Sequence, residues 1–384
     1  MIRITPSYKL ILTLFVSVFF AGCADEDDIY MPNPLVDLDN QFDTDVIWST
    51  SIGDGSIDKT VKLEPVYSDG KIFVADNSGV VAAVDPKNGK LLWETDLETE
   101  IGGGPAVLGD ILAVGAQQGE VIVLDATSGK VKWRKELPSE IISKPAIGEG
   151  HVVVNSVDGK TTALSAENGE RKWVYDQTIP SLTLRGNSSP VIVGGGVISG
   201  FSNGKLVVFI LQNGIVAWEK LISAPIGRSE IQRLVDIDIQ PQVYGEHIYV
   251  ASYNGNLADI NARSGEVFWQ RELSTYQEIS VTDLLLLVTH DNSHVSAVNR
   301  GNGVTIWTEK SLYRRILTTP VLVGDYVVVA DFEGYLHWLS KKDGQVLSRE
   351  EIDSDGISAK PLVIDDKIIL LAQSGTLYAV RKEK

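Results

Sequence analysis

An all-β fold, an eight-bladed β-propeller of four-stranded antiparallel blades, is predicted by three features of the sequence. The chain repeats with a period near 40 residues, each repeat holds short apolar runs separated by glycine-containing turns, and most repeats end on a tryptophan. One such unit leaves both faces of its sheet exposed, whereas stacking the units around an axis covers them. The 384 residues, 43% hydrophobic and 22% charged, are enough to bury a large core.

The first 22 residues are predicted to be a secretory signal peptide. Arg3 and Lys9 precede the apolar run LILTLFVSVFFAG, which is too short to cross a bilayer as a stable helix. Cys23, the sole cysteine, follows two small residues and can form no internal disulfide. This arrangement resembles a bacterial lipobox, in which the thiol is acylated and the cysteine becomes the mature N-terminus. A cleaved signal peptide with an incidental cysteine is the alternative.

Residues 23–45 are predicted to form a flexible tether that is lipidated at Cys23. The sequence ADEDDIYMPNPLVDLDNQ is acidic and contains proline, a composition typical of extended linkers. Several acyl chains anchor a protein firmly, since each buried methylene contributes about 0.8 kcal/mol. Ala24 stands where the enterobacterial sorting pattern has aspartate for inner-membrane lipoproteins, which favours the outer membrane by resemblance. We therefore expect a periplasm-facing protein that contacts the outer membrane through its lipid alone.

Residues 46–384 are predicted to form the propeller. A proline, a glycine 14 residues later, a glycine 10 residues further and a tryptophan 4 residues beyond recur in five complete copies. A sixth copy lacks the proline, a seventh has Ser348 in place of tryptophan, and an eighth begins at Pro361 but stops at Lys384. Trp48, near the start of the chain, supplies the tryptophan that the eighth copy lacks. An N-terminal strand is therefore predicted to close the ring, with the tryptophans packed between blades.

Two neighbouring connections between blades are longer than the others. The tryptophan of one repeat and the proline of the next are usually 12 or 13 residues apart, but Trp173 and Pro190 are 17 apart and Trp218 and Pro241 are 23 apart. Every connection from an outer strand to the next inner strand emerges on the same face of the disc, because each strand reverses direction. The two insertions must therefore be neighbours on one face.

The content of these insertions indicates a protein-binding surface. The first insertion is PSLTLRGNSS, residues 180–189, and the second is SAPIGRSEIQRLVDIDIQ, residues 223–240. They combine apolar side chains with charges, the make-up of an interface core and rim, whereas tolerated surface loops are the alternative. The candidate partner-binding residues are Leu182, Leu184, Arg185, Asp236 and Asp238, with Ile231 and Leu234 as further apolar anchors.

Composition and motifs disfavour several other functions. The balance of 34 basic to 51 acidic residues gives a net charge of −17, which repels nucleic-acid backbones. Turns such as DATSGKVKW resemble the tryptophan-docking repeats of quinoprotein propellers. A quinone-dependent dehydrogenase would need an axial cofactor slot, calcium ligands, a catalytic carboxylate and, in many members, a vicinal pair of cysteines. The sole cysteine here is the one expected to carry lipid, and the chain lacks the longer inserted loops that build such a site. The five histidines show no zinc-like spacing. We expect no enzymatic activity, no metal and no cofactor.

These features together resemble the BamB family, lipoprotein subunits of the outer-membrane β-barrel assembly machinery. The resemblance spans essentially the whole chain and is carried by the lipobox, the eight repeats and the segments PSLTLRG, SEIQRLVDID, YNGNL and EGYLHW. It implies a scaffold that docks on the periplasmic POTRA domains of BamA and assists unfolded outer-membrane protein precursors. In that family the docking segments correspond here to Leu182, Leu184, Arg185, Asp236 and Asp238.

Two further possibilities stay open from the sequence. Outer strands with exposed edges are candidate sites for transient pairing with a precursor strand. A different periplasmic repeat lipoprotein, binding polysaccharide or another envelope protein, is the alternative to an assembly factor.

Overall fold

The computed structural model describes residues 31–55, 61–184 and 186–383. In these ranges the chain forms eight four-stranded antiparallel sheets that succeed one another along the sequence, together with a short 3₁₀ helix. The predicted eight-bladed β-propeller is therefore confirmed. The signal peptide, residues 1–22, and Cys23 lie outside the described residues.

Blades 1 to 4 follow the first four copies of the repeat, and each runs from an inner strand at the axis to an outer strand at the rim. Their strands are β2 (Val66–Ser68), β3 (Lys71–Ala75), β4 (Val80–Val84) and β5 (Leu91–Asp96); β6 (Ile101–Leu108), β7 (Ile111–Ala116), β8 (Glu120–Asp125) and β9 (Val131–Glu136); β10 (Ala146–Gly148), β11 (His151–Asn155), β12 (Lys160–Ser165) and β13 (Arg171–Asp176); and β14 (Val191–Val193), β15 (Gly196–Gly200), β16 (Lys205–Ile210) and β17 (Val216–Leu221).

Blades 5 to 8 continue the series, and the last blade takes its outer strand from the start of the chain. Their strands are β18 (Gln242–Tyr244), β19 (His247–Ala251), β20 (Asn256–Asn261) and β21 (Val267–Glu272); β22 (Ser280–Val281), β23 (Leu285–Thr289), β24 (Val295–Asn299) and β25 (Thr305–Glu309); β26 (Val321–Val323), β27 (Tyr326–Ala330), β28 (Tyr335–Ser340) and β29 (Val346–Glu351); and β30 (Leu362–Ile364), β31 (Lys367–Leu371), β32 (Thr376–Lys382) and β1 (Thr44–Ser51).

The repeated tryptophan and glycine meet between blades, which explains their spacing. Trp93 of blade 1 lies on Gly129 of blade 2, where a Cβ atom would come within 2.5 Å of the indole ring. The indole Nε1 also donates to the carbonyl oxygen of Ala126 at 3.1 Å. Gly129 adopts φ +72°, so both its conformation and the lack of space exclude other residues. The same contact joins Trp48 to Gly89, Trp133 to Gly169, Trp173 to Gly214, Trp218 to Gly265, Trp269 to Gly303 and Trp307 to Gly344.

The N-terminal strand closes the ring as predicted. Strand β1 pairs antiparallel with β32 from Thr44 opposite Lys382 to Ser51 opposite Thr376. It begins two residues before the predicted boundary of the propeller at residue 46. Trp48 then packs on Gly89 of blade 1 and donates its indole N–H to Pro86 O at 3.2 Å. Blade 8 is thus joined to blade 1 by the same tryptophan–glycine contact that joins blades 1 to 7 in succession.

Residues 33–42, which we call the strap, lie along the outer strand of blade 7. The Asn33 N–H donates to Tyr313 O at 3.0 Å at one end of the strap. Further along, Asn40 and Arg349 exchange two hydrogen bonds of 3.0 Å, one from the Asn40 amide group to the Arg349 carbonyl and one returning from the Arg349 N–H. The strap therefore covers the open edge of β29 over part of its length.

The strap also explains why blade 7 carries serine where other blades carry tryptophan. The Ser348 hydroxyl donates to Phe42 O at 2.6 Å, so the strap backbone passes over this position. The Phe42 ring packs edge-on against Tyr326 and Trp338, with ring centroids 5.1 and 5.6 Å apart. An aromatic ring from the N-terminal segment thus fills the space beside the blade, and a small residue at position 348 leaves room for it.

Arg315 holds the strap to the propeller through a buried ionic network. Its side chain is 3% exposed, and its Nε lies 2.7 Å from Oδ2 of the fully buried Asp331. The same guanidinium donates to Asn33 O at 3.2 Å and pairs with Glu333. Burial opposes ionisation of Asp331, but hydrogen bonds and charges from His337 and Arg315 hold its pKa below the ordinary value.

The tether predicted over residues 23–45 differs from the structure in its second half. Within residues 33–43, Asn33 is hydrogen-bonded to the connection between blades 6 and 7, residues 40–42 to β29, and Asp43 to the residue after β32, and strand β1 begins at residue 44. Composition suggested a linker because the segment is acidic, yet Leu35 and Phe42 provide the apolar contacts that fix it. Within the described ranges, no helix is long and apolar enough to cross a membrane.

Candidate docking surface

Both insertions lie on the face of the disc where outer strands connect to the next inner strands, which we call the insertion face. The first insertion links β13 to β14 and the second links β17 to β18, so blade 4 stands between them. The second insertion contains the 3₁₀ helix Ile231–Arg233. The two insertions are therefore neighbours, as the spacing of the repeats predicts.

The two leucines of the first insertion face solvent. Leu182 is 40% exposed and Leu184 is 36% exposed, with the half-buried Thr183 between them. Both side chains are therefore accessible to a partner. The end of the insertion is firmly held, since the Ser188 hydroxyl donates to Ile239 O at 2.7 Å. The leucines are thus presented from an ordered connection.

The two aspartates of the second insertion face inward and hold the first insertion. Asp236 is only 1% exposed, and its Oδ1 accepts the Leu184 N–H at 3.1 Å. Asp238 lies directly against Gly186, where a Cβ atom would come within 2.2 Å of the carboxyl carbon. The glycine of the PSLTLRG segment is therefore required by this close approach. The structure brings the aspartates together with Leu184, but it does not place Asp236 at the surface.

The segment VDIDI, residues 235–239, alternates between two environments. Val235, Ile237 and Ile239 are buried in the core, and Ile237 covers Gly200, where a Cβ atom would lie 2.3 Å from its Cγ2. The carboxylates between them consequently point to the opposite side, toward the first insertion. The aspartates of this segment therefore hold the first insertion, while its branched apolar side chains pack in the core.

Burial dominates the electrostatics of the two carboxyl groups. It raises the pKa of Asp236 to about 6. It raises the pKa of Asp238 to about 8, with the charge of Asp236 adding to the shift and that of Lys62 opposing it. Among the described residues, Oδ2 of Asp236 and Oδ1 of Asp238 have no hydrogen-bond partner. Arg185 lies outside the described residues, and its role stays a prediction.

We expect these carboxyl groups to make the protein less stable as the pH rises. Each has a folded-state pKa above the unfolded value of about 3.9, so the folded state holds the proton longer. The resulting stabilisation is complete below about pH 4 and is lost as the pH rises through the folded-state pKa. Asp238→Asn should therefore gain stability relative to the parent between about pH 4 and 8. Urea unfolding across this range measures the effect, and parallel profiles would contradict it.

A second cluster of charges, missed from the sequence, lies at the axis of the ring. Lys144 pairs with Glu64 at 3.4 Å, and Lys360 pairs with Glu278 at 2.9 Å. Each of the four residues precedes the inner strand of its blade, and each ion pair joins two blades that have one blade between them. A signal existed in the sequence, because three of them stand immediately before a repeat proline.

These ion pairs bear on the quinoprotein alternative, which requires an axial cofactor slot. They lie at the insertion-face end of the axis, and Lys62 adds a hydrogen bond of 3.0 Å to Gln277. The sequence GFSNG, residues 200–204, matches the G-x-S-x-G pattern of hydrolases. It forms the hairpin turn between β15 and β16, however, instead of the strand-to-helix turn that exposes a nucleophile. Across the described ranges, no three acidic, histidine or cysteine side chains are grouped to hold a metal ion.

Comparison with known proteins identifies the family. A family model described as "Outer membrane protein assembly factor BamB" matches residues 38–101, 77–309 and 291–384. The outer membrane protein assembly factor BamB of Kangiella koreensis is 44% identical over 372 residues, which cover 97% of this chain and 96% of that protein. The chain belongs to the BamB family. The crystal structure of BamB from Moraxella catarrhalis superposes with a TM-score of 0.79 at 26% identity, covering 88% of this chain and 99% of that one.

A quinohemoprotein also shares the architecture. The quinohemoprotein alcohol dehydrogenase of Comamonas testosteroni superposes with a TM-score of 0.71 at 15% identity, covering 89% of this chain and 77% of that one. At this identity the likeness shows the propeller fold alone. The BamB relatives are named as assembly factors, which implies a non-enzymatic role.

Proposed function

We propose that this protein is a non-enzymatic scaffold of outer-membrane protein assembly whose insertion face docks on the periplasmic POTRA domains of BamA. The observation that carries the proposal is the exposure of Leu182 and Leu184 on a connection that a buried carboxylate holds in place. Membership of the BamB family supports the assembly role. A lipid on Cys23 keeps the disc at the outer membrane, facing the periplasm.

The insertion residues divide into two roles in this proposal. Leu182 and Leu184 contact the partner, because their side chains are exposed and apolar. Asp236 and Asp238 position the first insertion, since one accepts a backbone N–H of that insertion and the other packs on its glycine. A loop that is ordered before binding loses less conformational entropy when it docks. Arg185 is predicted to pair with these carboxylates or with a carboxylate of the partner.

A second role, assistance to unfolded precursors, is supported by the strap. The Gln41 N–H donates to Leu347 O at 3.0 Å, so an extended segment already pairs with the outer strand of blade 7. The outer strands of other blades present edges of the same kind, and we propose that precursor strands pair with them transiently. A polysaccharide-binding function would favour exposed aromatic side chains, whereas the two insertions contain no aromatic residue.

Replacing the two leucines should weaken docking without unfolding the disc. We expect Leu182→Ala with Leu184→Ala to weaken binding to purified BamA POTRA domains by about thirtyfold or more, because truncated interface hot spots cost about 2 kcal/mol. Isothermal titration calorimetry measures the affinity, and circular dichroism and the melting temperature should stay at parent values. Arg185→Ala should weaken docking similarly.

The matched control uses exposed apolar residues on the opposite face. Val193 and Ile215 are 43% and 59% exposed and stand at turns of blade 4 away from the insertions. Val193→Ala with Ile215→Ala should bind the POTRA domains normally. If this control loses binding while the leucine variant keeps it, the docking face is on the other side of the disc.

A further inference from the structure

His337 is a fully buried histidine of blade 7 that the proposed function does not use. It lies on β28, and its Nε2 is 2.9 Å from Oδ2 of Asp331, which is also fully buried. In the described part of the chain, Nδ1 of this ring has no hydrogen-bond partner. Histidine is the side chain whose charge changes nearest to neutral pH, so the surroundings of this ring decide whether it takes up a proton there.

The hydrogen bonds of Asp331 determine which nitrogen of the imidazole carries the hydrogen. Oδ1 of Asp331 accepts the Glu333 and Tyr335 N–H groups, each at 3.0 Å. Oδ2 accepts the Arg315 Nε–H at 2.7 Å. A carboxyl group that receives this many donors is ionised and can only accept hydrogen bonds, so Nε2 of His337 is the donor of their shared bond. Nδ1 therefore holds a lone pair, and the imidazole is neutral.

A second proton on this ring is unfavourable in the folded structure. It would create a buried N–H group at Nδ1 without an acceptor, and a positive charge close to the Arg315 guanidinium, which binds the same carboxylate oxygen. The charged groups that face His337 are Asp331, Arg315 and, from β29, Arg349, and the Tyr335 ring centroid lies 6.4 Å away. Burial lowers the pKa of His337, the two arginines lower it further, and Asp331 opposes the shift.

The two arginines that face His337 also hold the strap. The Arg315 guanidinium donates to Asn33 O at 3.2 Å. The Arg349 guanidinium donates to Val36 O at 2.9 Å. A positive charge on the imidazole would repel both guanidinium groups, and both contacts with the strap backbone would weaken together.

We propose that His337, Arg315 and Arg349 form an acid-sensitive latch, in which protonation of His337 at Nδ1 displaces both arginines from the strap and releases the strap from the edge of β29. Release uncovers the N–H and C=O groups of that edge. An extended polypeptide strand can then pair with blade 7, as we propose for the other blades. This last consequence rests on the proposed function, whereas the latch itself does not.

The latch acts below about pH 6.5. The released state takes up the proton with the ordinary histidine pKa of about 6.5, whereas the closed state has a lowered pKa. The closed state is therefore fully favoured above this pH and loses about tenfold in its equilibrium constant for each pH unit below it, down to the folded-state pKa. Asp331 stays ionised in this range, because its pKa is held below the ordinary value. Asp236 and Asp238 have the opposite effect on global unfolding, so the strap has to be followed locally.

Hydrogen–deuterium exchange follows the strap locally. The Asn33 and Gln41 N–H groups bond to Tyr313 O and Leu347 O, and their protection is compared at pH 7.5 and 5.5 after correction for the intrinsic exchange rate. We expect this protection to fall by about fivefold to tenfold at pH 5.5, since one pH unit below the ordinary histidine pKa separates the two states by up to about tenfold. Strands β15 and β16 of blade 4 should keep their protection.

Two substitutions separate the latch from a general effect of acid. His337→Gln keeps a donor for Asp331 but cannot take up a proton in this range, so the strap should stay protected at both pH values. His151→Gln removes the buried histidine of blade 3, on the opposite side of the ring, and should respond to acid as the parent does.

Three results would overturn the latch. The first is a parent strap that keeps its protection at pH 5.5, and the second is a His337→Gln strap that loses protection as the parent does. The third is loss of the acid response in His294→Gln alone, which would assign it to the ring 5.8 Å from Tyr313. Should His337→Gln not fold, nuclear magnetic resonance of the parent imidazoles decides: a His337 ring that is protonated near pH 6.5 while the strap stays protected contradicts the proposal.

Discussion

Trp48→Ala is expected to lower the free energy of unfolding by about 3 to 5 kcal/mol, the usual cost of truncating a large buried aromatic. Trp48 belongs to the strand that completes blade 8, and its ring covers Gly89 of blade 1. Removing it leaves a cavity at the contact where the two ends of the ring meet, and the indole hydrogen bond to Pro86 is lost as well. Chemical unfolding followed by tryptophan fluorescence and circular dichroism measures the change.

Two comparisons make this result specific. Leu92→Ala removes a half-exposed apolar side chain from the outer strand of blade 1 and should change stability by less than about 0.5 kcal/mol. Deleting residues 31–51, which removes the strap and β1 together, should abolish the single cooperative transition. A Trp48→Ala variant as stable as the parent would contradict the expected contribution of this residue to ring closure.

Arg315→Met should destabilise the protein by about 3 to 5 kcal/mol, since it leaves the buried Asp331 without its cation. The strap should loosen at the same time, because the guanidinium also donates to Asn33 O. We therefore expect the melting temperature to fall and limited proteolysis to cut between residues 31 and 43. Arg315→Lys should recover only part of the stability, as one ammonium group cannot reproduce the planar fork that meets three acceptors.

An exposed arginine provides the control for this variant. Arg263 is largely solvent-exposed and lies 3.6 Å from Glu246. Arg263→Met should alter stability by less than about 1 kcal/mol, because exposed ion pairs contribute little. Resistance of the strap to protease in Arg315→Met would show that its backbone bonds to blade 7 suffice without the ionic network.

The fold was predictable because the same short pattern of glycine and tryptophan recurs along the chain. Seven of the eight tryptophans lie on the glycine of the following blade, and this recurring contact accounts for the regular spacing of the two residues along the chain. The strap was not predictable in the same way, because it occurs once and its acidic composition is that of a linker. Ser348 was the one available signal, since a missing tryptophan in a ring leaves a space that another group must fill.

The candidate site was predictable in position but not in the orientation of its side chains. Repeat spacing located both insertions, and the exposure of Leu182 and Leu184 agrees with the expectation. The alternating pattern of VDIDI is the same whether its aspartates face water or another loop. Asp236 is buried because the first insertion lies over it, and the sequence does not reveal that contact.

The strap determines how a mechanical load would enter the molecule. If a lipid on Cys23 holds the N-terminus at the membrane, tension in the anchor reaches Asn33 first and then the bonds along β29. The strand that closes the ring begins only at Thr44, beyond the last of these contacts. Force on such an anchor would therefore be borne first by the strap contacts, and β1 would stay unloaded until the strap detached. With a lipid on Cys23, the N-terminus could be pulled without the ring being pulled open.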